Sequence, residues 1–387
     1  MKKKKLAYFV QFPIHYQVPL LQQLSKEVDL TVFYISDMTT KEFEDKGFGK
    51  IKWSVDLLDG YKYEILNIRK DNGSFSFLNP IITGVKKALL SQQWDAVWFH
   101  GYAHYALLEA FLLAKYYKIP ILFRMESNLI STKQGFLKDI FIKNIVKSSK
   151  ALLWISSDNK EYYKHYGASE DKLVFCPYAI NNKYFQEKAI EFKDKAIEEK
   201  IALGFDENTL VILYASKFQK RKNPLDLIEA FHKLLEKKNE NIALVYVGTG
   251  EEENNLKEYT KNNHLENKVK FLGFKNQDIL PLYYEMSDIY VLPSNREPFG
   301  MVIPEILNFA KPVITTTEVG SAKDLIVDGK NGYIIEPNDI DNLSKNMDKL
   351  LSDKNLRESM GKASLEIITK WSYKEDIKGI LKALNDE

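Results

Sequence analysis

Short apolar runs alternate with amphipathic, helix-spaced stretches along nearly the whole chain. In the first half the runs fall at 6–10, 30–34, 96–99, 121–123 and 152–155. In the second half they fall at 210–214, 242–247, 269–272, 289–292 and 313–315. Runs apolar at every position, rather than at every second one, predict strands buried on both faces, the habit of parallel sheets. Helices between them predict a doubly wound α/β pattern. The rhythm breaks once, over the charge-dense stretch 187–200, which carries no strand character. The pattern predicts two facing doubly wound, Rossmann-like parallel-sheet domains, 1–185 and 207–370, joined by a partly helical inter-domain connection at 186–206. The last segment, 371–387, has apolar positions at helical spacing and is expected to pack back on the first domain. Sheets of this kind bind ligands beyond the carboxyl ends of their strands, which directs attention to the loops there.

Composition narrows the picture. The 387 residues are 45% hydrophobic and 28% charged, the make-up of a folded globular enzyme rather than a disordered or fibrous chain. A single cysteine, Cys176, excludes an intramolecular disulfide and a Cys-ligated zinc site. The net charge of +2 gives no global field to attract nucleic acid. The basic run from Lys2 to Lys5 precedes too short an apolar core for a secretory signal. The uncharged stretch 96–108 is too short to span a bilayer, so a cytoplasmic location is expected.

The most informative loop runs from 294 to 305: Ser294, Asn295, Arg296, Glu297, Pro298, Phe299, Gly300, Met301, Val302, Ile303, Pro304, Glu305. It follows the run at 289–292 and opens a helix. Gly300 allows backbone to approach a ligand, and first-turn amides lack intrahelical acceptors, so the turn from Phe299 through Gly300 and Met301 to Val302 can hold a phosphate. Glu297 lies before that turn and Glu305 about one helical turn after it. Carboxylates accept from hydroxyls, and a sugar–diphosphate–ribose would use all three features. A plain strand-to-helix turn with two solvated glutamates is the alternative. After the run at 210–214 comes a cationic loop with Lys217, Lys220, Arg221 and Lys222, placed to offset the charge of a departing diphosphate; a solvated basic loop is its plainer reading. Gly248, Thr249 and Gly250 make half a dinucleotide fingerprint, with Glu253 where the third glycine would stand.

With Lys311, Pro312, Val313 and Ile314 and the glycine-led turn 320–326 behind it, the loop resembles the donor-site signature of family-4 retaining glycosyltransferases of GT-B architecture. The likeness is strong from about 210 to 337 and weaker before. It implies that Glu297 contacts donor-sugar hydroxyls, that the Phe299–Val302 amides hold the diphosphate, and that Glu305 binds the ribose. Ser294 joins the donor-site set at the strand end. Lys217 stands where the family has an arginine, and Lys222 at its lysine. Gly273 and Phe274 resemble the base-binding loop. The resemblance implies transfer of a hexose-type sugar from a nucleotide diphosphate donor, UDP ahead of GDP. The acceptor is a hydroxyl of a glycan or lipid-linked glycan in bacterial-type surface polysaccharide synthesis. The nucleotide sugar is substrate, so no cofactor is expected.

The first domain is the expected acceptor side. His15 follows the first run, where many relatives carry two glycines, and is a candidate donor to the diphosphate or the acceptor. His100 is placed in the same way after the run at 96–99. The family's first-domain histidine is absent after the run at 121–123, leaving Arg124 or Glu126 to replace it. The stretch 136–147 reads as a basic amphipathic helix, either core-packed with a lysine face or resting on a membrane surface near a lipid-linked acceptor. The pair Asp339 and Asp341 imitates an Asp-x-Asp metal motif but sits at a helix start, so it is read as a cap and no metal is expected. Two other functions share the pattern. A sugar-nucleotide 2-epimerase would recruit His15 or His100 as acid and base, and an idle sugar-nucleotide-binding partner would keep the site without turnover.

Overall fold

The computed structural model describes residues 3–45, 47–129, 135–237 and 241–385, so Lys2 lies outside the described residues. The chain divides into two units. The first comprises Met1–Phe43, Val55–Ile180 and Ser372–Glu387; the second comprises Glu44–Ser54 and Asn181–Trp371.

The first unit is built on seven strands: β1 (Lys5–Val10), β2 (Asp29–Tyr34), β3 (Tyr63–Ile65), β4 (Ala96–His100), β5 (Ile121–Arg124), β6 (Ala151–Trp154) and β7 (Leu173–Phe175). They lie in the order 7-6-5-4-1-2-3, every neighbouring pair parallel. Both faces are covered, which is why β1 is apolar at each position. Ala7 and Phe9 enter one core beside Phe33, Val97 and Phe99. Leu6, Tyr8 and Val10 enter the other beside Leu30, Val32 and Trp98. Phe9 stacks between Phe33 and Phe99 at ring separations of 4.7 and 5.8 Å, each such buried aromatic contributing about 2–3 kcal/mol. The helix Tyr373–Asn385 covers the second core through Tyr373, Ile377, Ile380 and Leu384, a helical stripe of apolar residues. Asp376 of that helix meets Arg124 at the end of β5, both 1% exposed, with Nη1 donating to Oδ2 at 3.2 Å and Nη2 donating to Oδ1.

The second unit carries β8 (Leu210–Ala215), β9 (Ile242–Val247), β10 (Val269–Phe271), β11 (Ile289–Leu292), β12 (Val313–Thr316) and β13 (Gly332–Ile335). Their order is 10-9-8-11-12-13, again all parallel. The strand order reverses between β1 and β4 in one sheet and between β8 and β11 in the other, and loops leaving those switch points diverge to open a crevice.

Two expected boundaries need correction. The stretch 186–206, expected as a partly helical connection, lies mostly in the helices Asn182–Glu191 and Lys193–Ala202 and groups by contact with the second unit. Phe185 and Ala196 are buried there, Phe185 against Tyr284 and Phe309, and Glu199 accepts from Tyr283 Oη. Sparse apolar anchors in a charged background hid this packing. The residues Glu44–Ser54, expected with the first domain, belong by contact to the second unit. Asp45 pairs with Lys217 at 2.6 Å, Gly47 O accepts from Thr249 Oγ1, and Phe48 packs on Phe274 at a ring separation of 4.7 Å.

Candidate functional site

The loop after β8 and the loop after β11 flank the switch point of the second sheet and are tied together by main chain: Asn295 N and Arg296 N both donate to Arg221 O. An amide cluster of Asn223, Asn295 and Asn338 adds side-chain bonds between the same loops, with Asn223 at a left-handed φ of 49°. The backbone of Glu297 is fixed from the other side. Its N donates to Glu318 O at 3.0 Å and its O accepts from Gly320 N at 2.9 Å. Gly300 has a φ of 89°, and a Cβ there would press on Val319 Cγ1 at 3.1 Å, so the turn requires glycine.

Side chains converge on Glu297. Its Oε2 accepts from Lys222 Nζ and from Arg221 Nη1, the latter at 3.2 Å. Lys222 is 7% exposed. Burial first, then the nearby Arg221 and Lys217 cations, push the Lys222 ammonium below its ordinary range, while the Glu297 carboxylate in contact with it opposes them. Lys217 lies over the Phe48 ring at 4.9 Å and pairs with Asp45. The loops thus gather Lys217, Arg221 and Lys222 against the carboxylates of Asp45 and Glu297, an excess of positive charge suited to a polyanion.

Glu305 sits in the helix Val302–Leu307, buried, with Oε2 accepting from Tyr284 Oη at 2.5 Å. Burial pushes its carboxyl up to about 7, and the Tyr284 bond acts the other way. Ser294 is fully buried at the end of β11. Gly248 follows β9, and a Cβ there would strike Ser216 O, so this glycine lets the cationic loop cross closely. Gly248 N also donates to Gly273 O at 2.9 Å, linking the loop after β9 to the loop that carries Phe274.

In the first unit, a cavity of about 510 Å³ opens at the carboxyl ends of β1, β4 and β5. Val10, Phe12, Ile14, Tyr16, Tyr102 and Met125 form its apolar lining, with His100, Glu126, Gln11 and Ser127 as polar members. His100 uses both ring nitrogens. Gln17 Nε2, which can only donate, reaches Nδ1 at 3.0 Å beside Tyr8 Oη at 2.8 Å, leaving Nε2–H to donate to Glu126 Oε1 at 3.1 Å. Tyr178 Oη also donates to Glu126 Oε1. Burial would raise the Glu126 carboxyl, but the bonds from His100 and Tyr178 and the Arg124 charge outweigh it and hold it below the ordinary value. Of the two replacements considered for the missing histidine, Glu126 faces the cavity, whereas Arg124 is buried on Asp376. His15 begins the turn His15–Gln17, is pushed by burial to about 4, and is not among the cavity-lining residues.

Sequence reasoning passed over Asp45, Tyr284, Gln17 and Tyr178 as site members. Nothing in the spacing of Asp45 tied it to Lys217. Asp339 caps the helix Ile340–Ser352 by accepting from Asn342 N at 3.0 Å. Among the described residues no three His, Cys, Asp or Glu side chains gather as metal ligands, and no helix is long and apolar enough to cross a membrane.

Residues 195–366 match the family model "Glycosyl transferases group 1". The chain is similar to an N-acetyl-alpha-D-glucosaminyl L-malate synthase of Bacillus anthracis, 31% identical over 48% of this chain and 47% of the relative. It is similar also to the capsular polysaccharide biosynthesis glycosyltransferase CapM of Staphylococcus aureus, 31% identical over 50% of each. The match therefore spans about half the length of these curated relatives. Among solved structures, HepE of Anabaena in complex with UDP and glucose is similar in fold at a TM-score of 0.73 and 17% identity, over 98% of this chain and 99% of that one. Residues 195–366 thus resemble the glycosyl transferases group 1 family, in a chain whose two parallel-sheet domains have the GT-B fold.

Proposed function

We propose that the protein is a metal-independent retaining glycosyltransferase. It moves a hexose-type sugar from a UDP-linked donor to a hydroxyl of a glycan or lipid-linked glycan in bacterial-type surface polysaccharide synthesis. The observation that carries this is the buried Lys222–Glu297 contact at the switch point of the second sheet, flanked by Arg221 and Lys217. In the reaction the bond from the anomeric carbon to the diphosphate oxygen breaks while the acceptor oxygen bonds to the same face of the sugar. The acceptor proton passes to the leaving phosphate. Charge grows on that phosphate in the transition state, where Lys222, Lys217 and the amides from Phe299 to Val302 oppose it. Glu297 accepts from sugar hydroxyls and Glu305 from the ribose, and Gly273 and Phe274 border the base. The relative named for capsular polysaccharide and the neighbour holding UDP and glucose support the choice of pathway class and donor.

Membrane attachment through the helix Phe136–Ser148 belongs to the same proposal. Phe136 and Leu137 are 78% and 81% exposed at its start, close to Lys138, while Ile142, Ile145 and Val146 are buried. An enzyme working on lipid-linked glycans at the inner membrane face would insert those two side chains among lipids.

The test is transfer from UDP-glucose and related UDP-sugars, with the anomeric configuration of the product read by NMR. Retention, activity undiminished in EDTA, and a loss of about 100-fold or more in Glu297→Ala are expected. Near-normal turnover in that variant, an inverted product, or an epimerised nucleotide sugar formed without acceptor would overturn the assignment.

A further inference from the structure

The cavity of the first unit has a chemical character of its own. It lies where its sheet reverses order, its walls are mainly aromatic and aliphatic, and Glu126, the one carboxylate among its described lining residues, is held on a fixed scaffold. Glu126 is anchored through Oε1 alone, by His100 Nε2 and Tyr178 Oη, and its side chain is still 47% exposed. The anchoring chain runs back through Gln17 and Tyr8, so the carboxylate cannot swing away without breaking buried hydrogen bonds. Its second oxygen is left to accept from whatever enters. Among the described residues that line the cavity there is no lysine or arginine. Arg124, one strand-end residue away, is turned into the protein with Nη1 and Nη2 on Asp376.

We propose that this cavity receives an uncharged or amine-bearing sugar ring of the acceptor, bonded through a hydroxyl or ammonium group to Glu126, and discriminates against phosphorylated or carboxylated acceptors. The assignment deepens the glycosyltransferase reading and rests on it. A sugar ring offers a C–H face to Tyr16, Tyr102 or Phe12 and hydroxyl donors at its edge, which matches apolar walls with a few acceptors, Glu126 the charged one among them. An anionic substituent brought to the same floor meets a like charge in a partly dry site, with no lysine or arginine among the described lining residues to offset it.

Saturation-transfer NMR on the full chain with UDP present tests this, using methyl α-glucoside, glucosamine and glucose 6-phosphate as probes. The first two are expected to bind, the third about tenfold more weakly or less. Glu126→Gln is expected to weaken the first two about tenfold and to narrow the gap to the third, with UDP affinity unchanged. Equal binding of glucose 6-phosphate, an unchanged ranking in Glu126→Gln, or binding of no probe at all overturns the proposal. The wild-type ranking decides alone should the variant not fold. UDP affinity and slow UDP-sugar hydrolysis are recorded in the same samples. Their absence sinks the glycosyltransferase reading, whereas the probe ranking bears only on the acceptor class.

Discussion

Arg124 and Lys222 are both buried cations near the carboxyl ends of parallel strands, one in each sheet, yet their surroundings differ in a way that separates architecture from chemistry. Arg124 has an acid to itself: Asp376 takes two of its nitrogens, and the rings of Trp98 and Tyr178 lie alongside. That pair is closed, and it ties the helix Tyr373–Asn385 to β5. Lys222 shares Glu297 with Arg221 and has Lys217 nearby, so its loop holds more positive than negative charge. A neutralised pair adds little beyond the fold it pins. An under-neutralised cluster at a switch point leaves a positive potential that favours an anionic ligand.

The contrast is broken most directly by exchanging each cation for methionine. Arg124→Met strands a buried Asp376 and is expected to cost about 3–5 kcal/mol of stability, read by denaturant unfolding, with turnover per folded molecule little changed. Lys222→Met is expected to do the reverse. Activity falls by about 100- to 1,000-fold, or about 3–4 kcal/mol of transition-state stabilisation, while Arg221 keeps Glu297 paired and stability falls by less than about 2 kcal/mol. Similar profiles in the two variants would erase the distinction.

Glu305 sharpens the comparison through pH. Its carboxyl is raised to about 7 in the folded chain, so between the ordinary glutamate value and pH 7 the folded state holds a proton that the unfolded state has released. Its contribution to stability is complete below that ordinary value and is lost as pH climbs through about 7. Glu305→Gln is therefore expected to raise unfolding stability at pH 8 by about 2 kcal/mol while weakening donor binding. In the native enzyme the donor KM is expected to rise as pH falls through 7, because the protonated carboxyl is a poorer acceptor for ribose hydroxyls. A flat profile in the wild type would detach Glu305 from the donor. The smallest effect is expected at Asp45, whose carboxylate occupies Lys217. Asp45→Asn frees that ammonium and is expected to lower the donor KM about three- to tenfold, read by initial rates.

The strands at the centre of each sheet were legible because burial on both faces demands apolar side chains at every position; each of the ten runs is a strand. The strands Tyr63–Ile65, Leu173–Phe175 and Gly332–Ile335 were not, because they are short edge strands, and the first exposes all three of its residues. Glu297, Lys222 and Glu305 could be named because their spacing around one glycine turn carries a chemical meaning. Their partners could not. Tyr284 is one tyrosine among 22, and its bond to Glu305 depends on how the helix Leu280–Met286 packs.

By itself, then, the order of apolar and polar residues determined two parallel sheets and the loops at their ends, since that pattern is a local consequence of which faces meet water. Only the tertiary structure decided which groups pair: Asp45 with Lys217 and Arg124 with Asp376 as charges, and Glu126 with His100 through a hydrogen bond. Ion pairs form between residues that folding brings together from distant parts of the chain, and neither residue type nor spacing encodes that distance.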